Sequence, residues 1–516
     1  MAKCFLSPRR LTAVDLEQLR HRISLLYVSR GYVNSGALIP EQDVGQGELR
    51  VRIVEGRLNE VKVTDITPES EPDWLQAIEE FITPKSYSAR LEQRKADYVR
   101  DRLKGDPEQP LNTENLQEDY LKLLNDRMIK RLNGSLLPGM HPGEAVLDLK
   151  VTRARPYGGY VGVDNFSPPQ IGGVTGRVGF WVDNLASLGE RIDFNMSPTG
   201  GAFSYNTGID IPLTASGTRF AFRYNDSSTV LIEPPLDTLN IVNQIVSYDG
   251  QLSHPLLWDF KEDFQQKLTL GANFAVRQNQ ETISGQPTIQ GPTQVTVVRA
   301  WQDYLFQNKV IDAAFRSTFS MGVDVLGATA FTINADGRQD NGQFFAWLGQ
   351  TSGRYHFREG WPKWLDNSYI SLNGAVQLTN DRVLALEKIA IGGFRTVRGY
   401  RQNYLVRDQG FYLSLDAGYP LYGGEPGAKY GVYLVPFTDY GGAANQGERR
   451  NYIQSVGVGL EGYMNVAQST LSAAFYWAGR VNLIHDYRGV PGSFPQGAEY
   501  DMQDNGINFR VNWTSN

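Results

Sequence analysis

The sequence predicts an α+β N-terminal region followed by an all-β transmembrane barrel of about 16 antiparallel strands. Apolar and polar residues alternate with a period of two through the 360 residues from 157 to 516. No apolar run approaches the ~18 residues that a membrane-spanning helix requires. A closed barrel is the other structure that pairs every backbone group in lipid, and its polar interior is compatible with a mean hydropathy of −0.36.

The first 156 residues carry a different, mixed pattern. Thr12 is a candidate N-cap for a helix that Gly31 ends. Apolar residues recur at helical spacing within it, at Leu16, Leu19, Ile23 and Leu26. Alternation then predicts one strand through Leu49, Val51 and Ile53 and a second through Val61 and Val63.

A second α/β module is predicted to follow. It has a helix around residues 74–81 and a further helix capped by Asn112 or Thr113. The apolar face of that further helix carries Leu116, Tyr120, Leu123 and Leu124. The module closes with a strand over residues 145–151, where apolar and polar residues alternate again.

Beyond residue 157 the alternation marks strand after strand. Clear examples occupy residues 178–182, 192–196, 220–224, 268–274, 370–378 and 507–513. Strands of ~9–11 residues with their turns fit about 16 times into this length. Residues 214–217 form a short turn and 278–294 a longer polar loop in this prediction. Soluble antiparallel sheets alternate as well, so a soluble all-β domain is the competing interpretation.

Composition excludes several classes of function. A net charge of −6 argues against a nucleic-acid partner bound by phosphate neutralisation. Cys4 is the single cysteine and the five histidines are scattered, so we expect no disulfide, metal site or cofactor. The glycine pattern at 457–462 resembles a dinucleotide fingerprint but lies in an alternating strand. Nothing in the sequence indicates catalysis, and we expect no enzyme.

One pair of charged residues stands out within the predicted barrel. Arg398 lies in a turn flanked by Gly392, Gly393 and Gly399, and Asp439 lies midway along a later strand. A buried charge is tolerated when it is paired, and arginine suits a fixed two-pronged contact with a carboxylate. The pattern favours a lid held inside the barrel by an Arg398–Asp439 ion pair. A solvated loop arginine and an ordinary turn aspartate are the plainer alternative.

These motifs resemble those of a known group. Val397, Arg398, Gly399 and Tyr400, preceded by Gly392, Gly393 and Phe394, resemble the lid-loop signature of the BamA-like outer-membrane superfamily. Phe437, Asp439 and Gly441 resemble its wall motif. Segments 27–33, 49–56, 137–143 and 183–189 narrow the resemblance to the two-partner secretion transporters of TpsB type, the ShlB/FhaC/HecB family.

The resemblance implies two periplasmic POTRA domains and a lid-gated outer-membrane pore. The truncated first POTRA domain would span residues 1–55, the second 56–155, and the barrel 156–516 with its lid around 392–402. Arg398 would be the lid-tip arginine and Asp439 its wall partner. The implied activity is export of a large unfolded exoprotein of haemolysin or haemagglutinin type, which the POTRA domains bind in extended form. An outer-membrane protein insertase and a passive diffusion porin remain alternatives.

The N-terminal sequence departs from the family pattern. Residues 1–10 lack the apolar segment of a secretory signal, and no plug helix, linker or first POTRA strand precedes the first predicted helix. Residues 57–112 are longer and more charged than the usual opening of the second module. We expect a start codon placed too far downstream or a gene fragment.

Overall fold

The computed structural model describes residues 12–42, 48–67, 88–103, 109–261, 263–288, 291–333, 337–358, 360–425, 427–481 and 501–515. Its chain forms two compact units. The first contains residues 1–156 and 184–189, and the second contains 157–183 and 190–516. No helix in the described ranges combines the length and apolarity needed to cross a bilayer.

The first unit contains the α-helices of the described chain and two small sheets. The helices are α1 (Ala13–Val28), α2 (Ser88–Leu103) and α3 (Thr113–Leu124). The strands are β1 (Gly36–Leu38), β2 (Arg52–Val54), β3 (Arg57–Asp65), β4 (Ile129–Pro138) and β5 (Glu144–Arg153).

Helix α1 begins where the sequence predicts. The Thr12 hydroxyl accepts a hydrogen bond from the Asp15 amide at 3.2 Å, and the Asp15 carboxylate accepts one from the Thr12 amide at 2.8 Å. This reciprocal capping box satisfies two amides that the helix cannot pair itself. The neighbouring strand is shorter than predicted: β2 starts at Arg52 rather than Leu49. Its partner β1 offers three residues for pairing, and the Gln42 side chain binds the Arg50 backbone instead.

The second sheet has the strand order β3-β5-β4, with β3 parallel and β4 antiparallel to the central β5. One face of β5 buries Leu147, Leu149 and Val151 in a cluster with Leu103 and Leu123 of the helices, and Ala145 on the same face is also buried. Asn112 is the cap of α3, and its side chain accepts from the Glu114 amide at 2.8 Å. The helix predicted around residues 74–81 lies outside the described residues.

The second unit is a closed antiparallel barrel of sixteen long strands, as predicted. They are β6 (Tyr157–Asp164), β7 (Thr175–Asp183), β8 (Arg191–Pro198), β9 (Ala202–Pro212), β10 (Arg219–Val230), β11 (Ile241–Phe260), β12 (Phe264–Ile283), β14 (Thr293–Asn308), β15 (Ile311–Gly322), β18 (Phe345–His356), β19 (Tyr369–Thr379), β22 (Gln409–Gly423), β23 (Tyr430–Ala444), β24 (Asn451–Val466), β25 (Ser469–Val481) and β26 (Ile507–Ser515). Strand β26 pairs with β6 and closes the cylinder.

Short strands lie in the connections between the barrel strands. The two-residue β13 (Gln286–Pro287) extends the tip of β12, and β16 (Phe331–Ile333) forms a hairpin with β17 (Gln339–Asn341). Between β19 and β22, β20 (Ile389–Ile391) pairs with β21 (Leu405–Arg407). Residues 392–404, which connect β20 to β21, are called the lid tip below.

The predicted polar loop at 278–294 is wrong. Gln278 lies within β12, and Gln294 lies within β14. Pairing between β12 and β14 reaches Asn279 opposite Thr293, β12 continues to Ile283, and the Gln278 side-chain amide donates to the Gln294 side-chain oxygen at 2.7 Å. Strands β11 and β12 each reach 20 residues, well beyond the ~9–11 expected for a spanning strand.

Apolar and polar side chains alternate between the outside and the inside of the barrel, as a membrane barrel requires. Along β22, Leu413 and Leu415 point outward and are exposed, while Ser414 and Asp416 point into the barrel. On this strand apolar side chains therefore face outward and polar side chains face the interior, as in a membrane barrel.

Candidate functional site: a lid tip bound to the barrel wall

Glycines shape the backbone of the lid tip. Gly392, Gly393 and Gly399 have φ angles of 110°, 97° and 86°, a region that residues with a Cβ rarely adopt. The Gly393 amide donates to the Val397 carbonyl at 3.0 Å, and the Gly392 amide donates to the Thr396 hydroxyl at 2.8 Å. The resulting tight turn presents Arg398 at its apex.

The lid tip packs against the barrel wall. Val397 and Tyr400 form a buried cluster with Ile391, Leu405 and two wall residues, Ala443 and Ile453. The approach is close at Gly441, where an added Cβ would come within 3.0 Å of both Ile391 and Val397. A side chain at position 441 would therefore crowd both lid residues, and glycine leaves room for their contact with the wall.

Arg398 and Asp439 form the ion pair that the sequence predicts. Arg398 Nε lies 2.8 Å from Asp439 Oδ2, and Arg398 Nη2 lies 2.6 Å from Oδ1. The Arg398 backbone amide also donates to Oδ2 at 2.9 Å. Arg398 is 4 % exposed and Asp439 is fully buried, so both charges depend on this contact.

Two further wall residues complete the arginine site, and sequence reasoning missed them. Arg398 Nη2 donates to Ser414 Oγ at 2.8 Å and to Asp416 Oδ1 at 2.7 Å. Ser414 in turn donates to Asp439 Oδ1 at 2.7 Å. The sequence carried a signal for them, because both are polar residues at inward positions of the alternating strand β22.

Aromatic rings enclose the guanidinium. Its central carbon lies 3.5 Å from the centre of the Phe437 ring and 5.2 Å from that of Tyr476. Both distances are typical of cation–π contacts. Burial lowers the pKa of Arg398, but hydrogen bonding to Asp439 and the charges of Asp439 and Asp416 raise it further, so the net shift is upward. The arginine stays charged.

A second lid arginine, not singled out from the sequence, forms its own cluster. Arg401 binds Asp504 through Nε at 2.5 Å and Nη2 at 2.7 Å. Its Nη1 contacts both carboxylate oxygens of Glu233 at 2.8 and 3.0 Å. Hydrogen bonding to Asp504 is the largest cause of a raised Arg401 pKa. The two acidic residues lie far from the lid in sequence, and no local motif marks them.

Other ion pairs hold the segment that leads into the lid tip. Glu387 binds Arg299 at 2.7 Å and Arg277 at 3.1 Å, both on the wall. Lys388 lies 2.8 Å from Asp340 and 3.2 Å from Asp408. The lid is thus fixed at its base as well as at its apex.

A cavity of about 480 Å³ lies between the lid tip and the wall. Phe394, Arg395 and Arg398 line it from the lid, and Asp416 and Glu461 line it from the wall. The described residues contain no cluster of metal-ligating side chains. With the lid seated, a mixed polar space remains beneath it.

The structure brings the lid and wall motifs together. The lid motif consists of Gly392, Gly393, Phe394, Val397, Gly399 and Tyr400, and the wall motif of Phe437 and Gly441 beside Asp439. Phe394 reaches the wall through Tyr476, with ring centres 5.3 Å apart. The structure therefore shows that the lid and wall motifs are in contact. Whether this contact gates the pore is a question of function.

Comparisons with known proteins agree with this architecture. The family described as haemolysin secretion/activation protein ShlB/FhaC/HecB matches residues 143–462, which is 320 of 516 residues. The ShlB-type POTRA domain matches residues 5–56.

Individual relatives are distant. The outer membrane transporter CdiB of Dickeya dadantii is 21 % identical over 77 % of this chain and 65 % of its own length. The heme/hemopexin transporter protein HuxB of Haemophilus influenzae is 23 % identical over 42 % of this chain and 34 % of its own. The chain thus spans less than two thirds of these relatives. The solved structure of CdiB from Escherichia coli superimposes with a TM-score of 0.69, at 17 % identity, over 98 % of this chain and 85 % of that one.

Proposed function

Because the chain belongs to the ShlB/FhaC/HecB family of outer-membrane transporters, we propose that it exports a large partner exoprotein through its barrel. Family membership places the barrel in the outer membrane and the POTRA region in the periplasm. In this proposal the cargo is of haemolysin or haemagglutinin type and crosses unfolded. The relatives named as transporters support the export role.

The observation that carries the proposal is the buried Arg398 site. The lid tip fills part of the barrel interior, and its apex binds Asp439, Asp416 and Ser414 at once. A diffusion porin has no need of such a contact. We infer that the seated lid closes the resting pore and that release of Arg398 opens a path for the cargo.

The first unit supplies surfaces suited to an unfolded partner. Within the described part of its larger sheet, β3 and β4 are the two edge strands. Edge strands bind extended peptides through backbone hydrogen bonds, which make few demands on side chains. The proposal is that the POTRA region captures the cargo in extended form. Folding of the cargo outside the cell would then give transport its direction, since the sequence has no nucleotide-binding lysine loop.

Secretion of the partner tests the proposal. The transporter is expressed in a Gram-negative host together with candidate exoproteins encoded beside its gene, and released exoprotein is measured in the medium. Arg398→Ala should strongly reduce release of the exoprotein. Arg398→Lys should secrete little more than Arg398→Ala, because lysine lacks the planar guanidinium that binds a carboxylate through two hydrogen bonds. Lys309→Ala is the matched control, since its ion pair with Asp263 is highly exposed. Unchanged secretion by Arg398→Ala would refute the lid-lock proposal.

Planar-bilayer conductance separates export from passive diffusion. The native protein should show low conductance that rises when Arg398 is replaced, because the lid leaves the pore. A large and steady conductance of the native protein, unchanged by Arg398→Ala, would support the porin alternative.

A further inference from the structure

The barrel seam has the shortest register among the pairings that close the cylinder. Strands β26 and β6 pair over five residues, from Arg510 opposite Asp164 to Thr514 opposite Tyr160. On their other sides, β26 pairs with β25 over nine residues and β6 with β7 over eight. A short ladder of backbone hydrogen bonds frays more easily than a long one. Something else must strengthen this seam.

A buried amide network ties the lid end of the seam. The Asn165 side chain follows β6, donates to the Ile507 carbonyl at 2.8 Å and accepts from the Phe509 amide at 2.8 Å. Gln503 precedes β26 and donates to the Asn165 and Ser167 carbonyls at 2.8 and 2.7 Å. Asn165 is fully buried and Gln503 is 1 % exposed, so the network is shielded from water.

The lid tip joins this network from the β26 side. The Gln402 amide donates to the Gln503 side-chain oxygen at 2.8 Å, which fixes the amide so that its nitrogen faces Asn165. The next residue, Asp504, binds Arg401 through two hydrogen bonds. Together, Arg401 and Gln402 hold the segment that places Gln503.

The lid tip also touches the β6 side of the seam. Phe394 stacks on Phe166, with ring centres 3.9 Å apart and an interplanar angle of 8°. Phe166 follows Asn165 directly and is buried. One lid thus contacts the segments that flank both strands of the seam.

We propose that Arg401 and Gln402 are positioning residues that couple lid seating to closure of the β6–β26 seam, through Gln503 and Asn165. When the lid tip leaves, Gln503 loses an acceptor interaction and Asp504 loses its cation, so the amide network no longer holds the two strands together. Arg398 fixes the lid against β22 and β23, on another part of the wall. In this proposal Arg398 holds the lid against the wall, and Arg401 couples the lid to the seam.

Hydrogen exchange of the full chain in detergent, read by mass spectrometry without any cargo, tests the proposal. Arg401→Ala should accelerate exchange at least about tenfold in residues 157–164 and 507–515, with no change in β15 and β18, which contain none of the Arg401 partners described above. Asp504→Asn keeps the side-chain volume and should act in the same direction. It serves as the second variant if Arg401→Ala assembles poorly.

Glu387→Gln is the matched control, because it removes a lid carboxylate that binds Arg277 and Arg299 away from the seam. It should accelerate exchange near the lid base and leave β6 and β26 unchanged. The proposal is overturned if Arg401→Ala and Asp504→Asn loosen residues 392–404 while the seam keeps its native protection. It is also overturned if Glu387→Gln loosens the seam equally. The outcome is independent of what the chain exports, since no partner protein is present.

Discussion

Strand β5 of the first unit and strand β23 of the barrel bury side chains of opposite character. The inner face of β5 carries Leu147, Leu149 and Val151, packed against helices. The inner face of β23 carries Phe437, Asp439 and Gly441, and Asp439 is fully buried as a charge. Both strands alternate with the same period, yet one is stabilised by apolar contact and the other by paired charge.

The difference teaches what a buried position can do. Apolar packing is non-directional and gives a rigid core with no built-in alternative. A buried ion pair contributes little net stability but is costly to break on one side, so it specifies one seated arrangement of the lid. The first unit has a core of apolar contacts, whereas the barrel interior holds the lid through a paired charge, which is the contact that we propose is released during export.

Removing the carboxylate should give the largest effect. Asp439→Ala leaves Arg398 buried with Asp416 as its remaining carboxylate, at a cost of about 3–5 kcal/mol in lid seating. Hydrogen exchange in residues 389–407 should accelerate by about two orders of magnitude or more. The control Lys309→Ala should leave these residues unchanged. If Asp439→Ala leaves exchange at the lid as slow as in the native chain, the ion pair does not hold the lid.

An apolar truncation in the first unit should have a smaller and differently located effect. Leu149→Ala opens a cavity at the centre of β5 and should destabilise this unit by about 3 kcal/mol. Urea unfolding of the full chain in detergent measures it by circular dichroism at 222 nm, because the described α-helices lie in the first unit. A simultaneous change in lid exchange would contradict the separation of the two regions.

The smallest effect should come from an ion pair at the edge of the first unit. Burial raises the pKa of Asp65, but hydrogen bonds from Thr67 and the Arg153 guanidinium outweigh it, so the net pKa is lowered. The folded state then binds fewer protons than the unfolded state, and this stabilisation is present above pH ~4 and lost as the pH falls below it. Solvent screening limits it to about 1 kcal/mol or less.

Asp65→Asn should therefore flatten the acid side of the stability profile of the first unit. The 222 nm urea midpoint of the native chain should fall more steeply between pH 5 and about pH 3 than that of the variant. Equal slopes would mean that the Thr67 and Arg153 contacts do not persist in solution.

Local patterns predicted much of the fold and the centre of the site. Thr12 and Asn112 mark helix starts because capping is chemistry between near neighbours. The glycines around Arg398 and the alternation around Asp439 predicted where each side chain would lie. The length of β11 and β12 was missed because polar residues there pair through the backbone, which the hydrophobic pattern does not register.

The second arginine site could not be derived from the sequence. Arg401 meets Glu233 and Asp504 across 168 and 103 residues, so the contact depends on barrel closure. Asp416 was accessible in principle, because an acidic residue at an inward position of a strand needs a partner. An acidic residue at an inward strand position thus predicts a buried ion pair, but it does not identify the partner.

Strands β11 and β12, at 20 residues each, are longer than a membrane-spanning strand requires. A tilted spanning strand needs about half of such a length, and we expect the ends near Ile241 and Ile283 to extend beyond the lipid. They lie opposite the end at which Tyr157 begins the barrel. We expect this end of the hairpin to be accessible from outside the cell, so a peptide tag inserted at its Ser284–Gly285 turn should be detectable on intact cells.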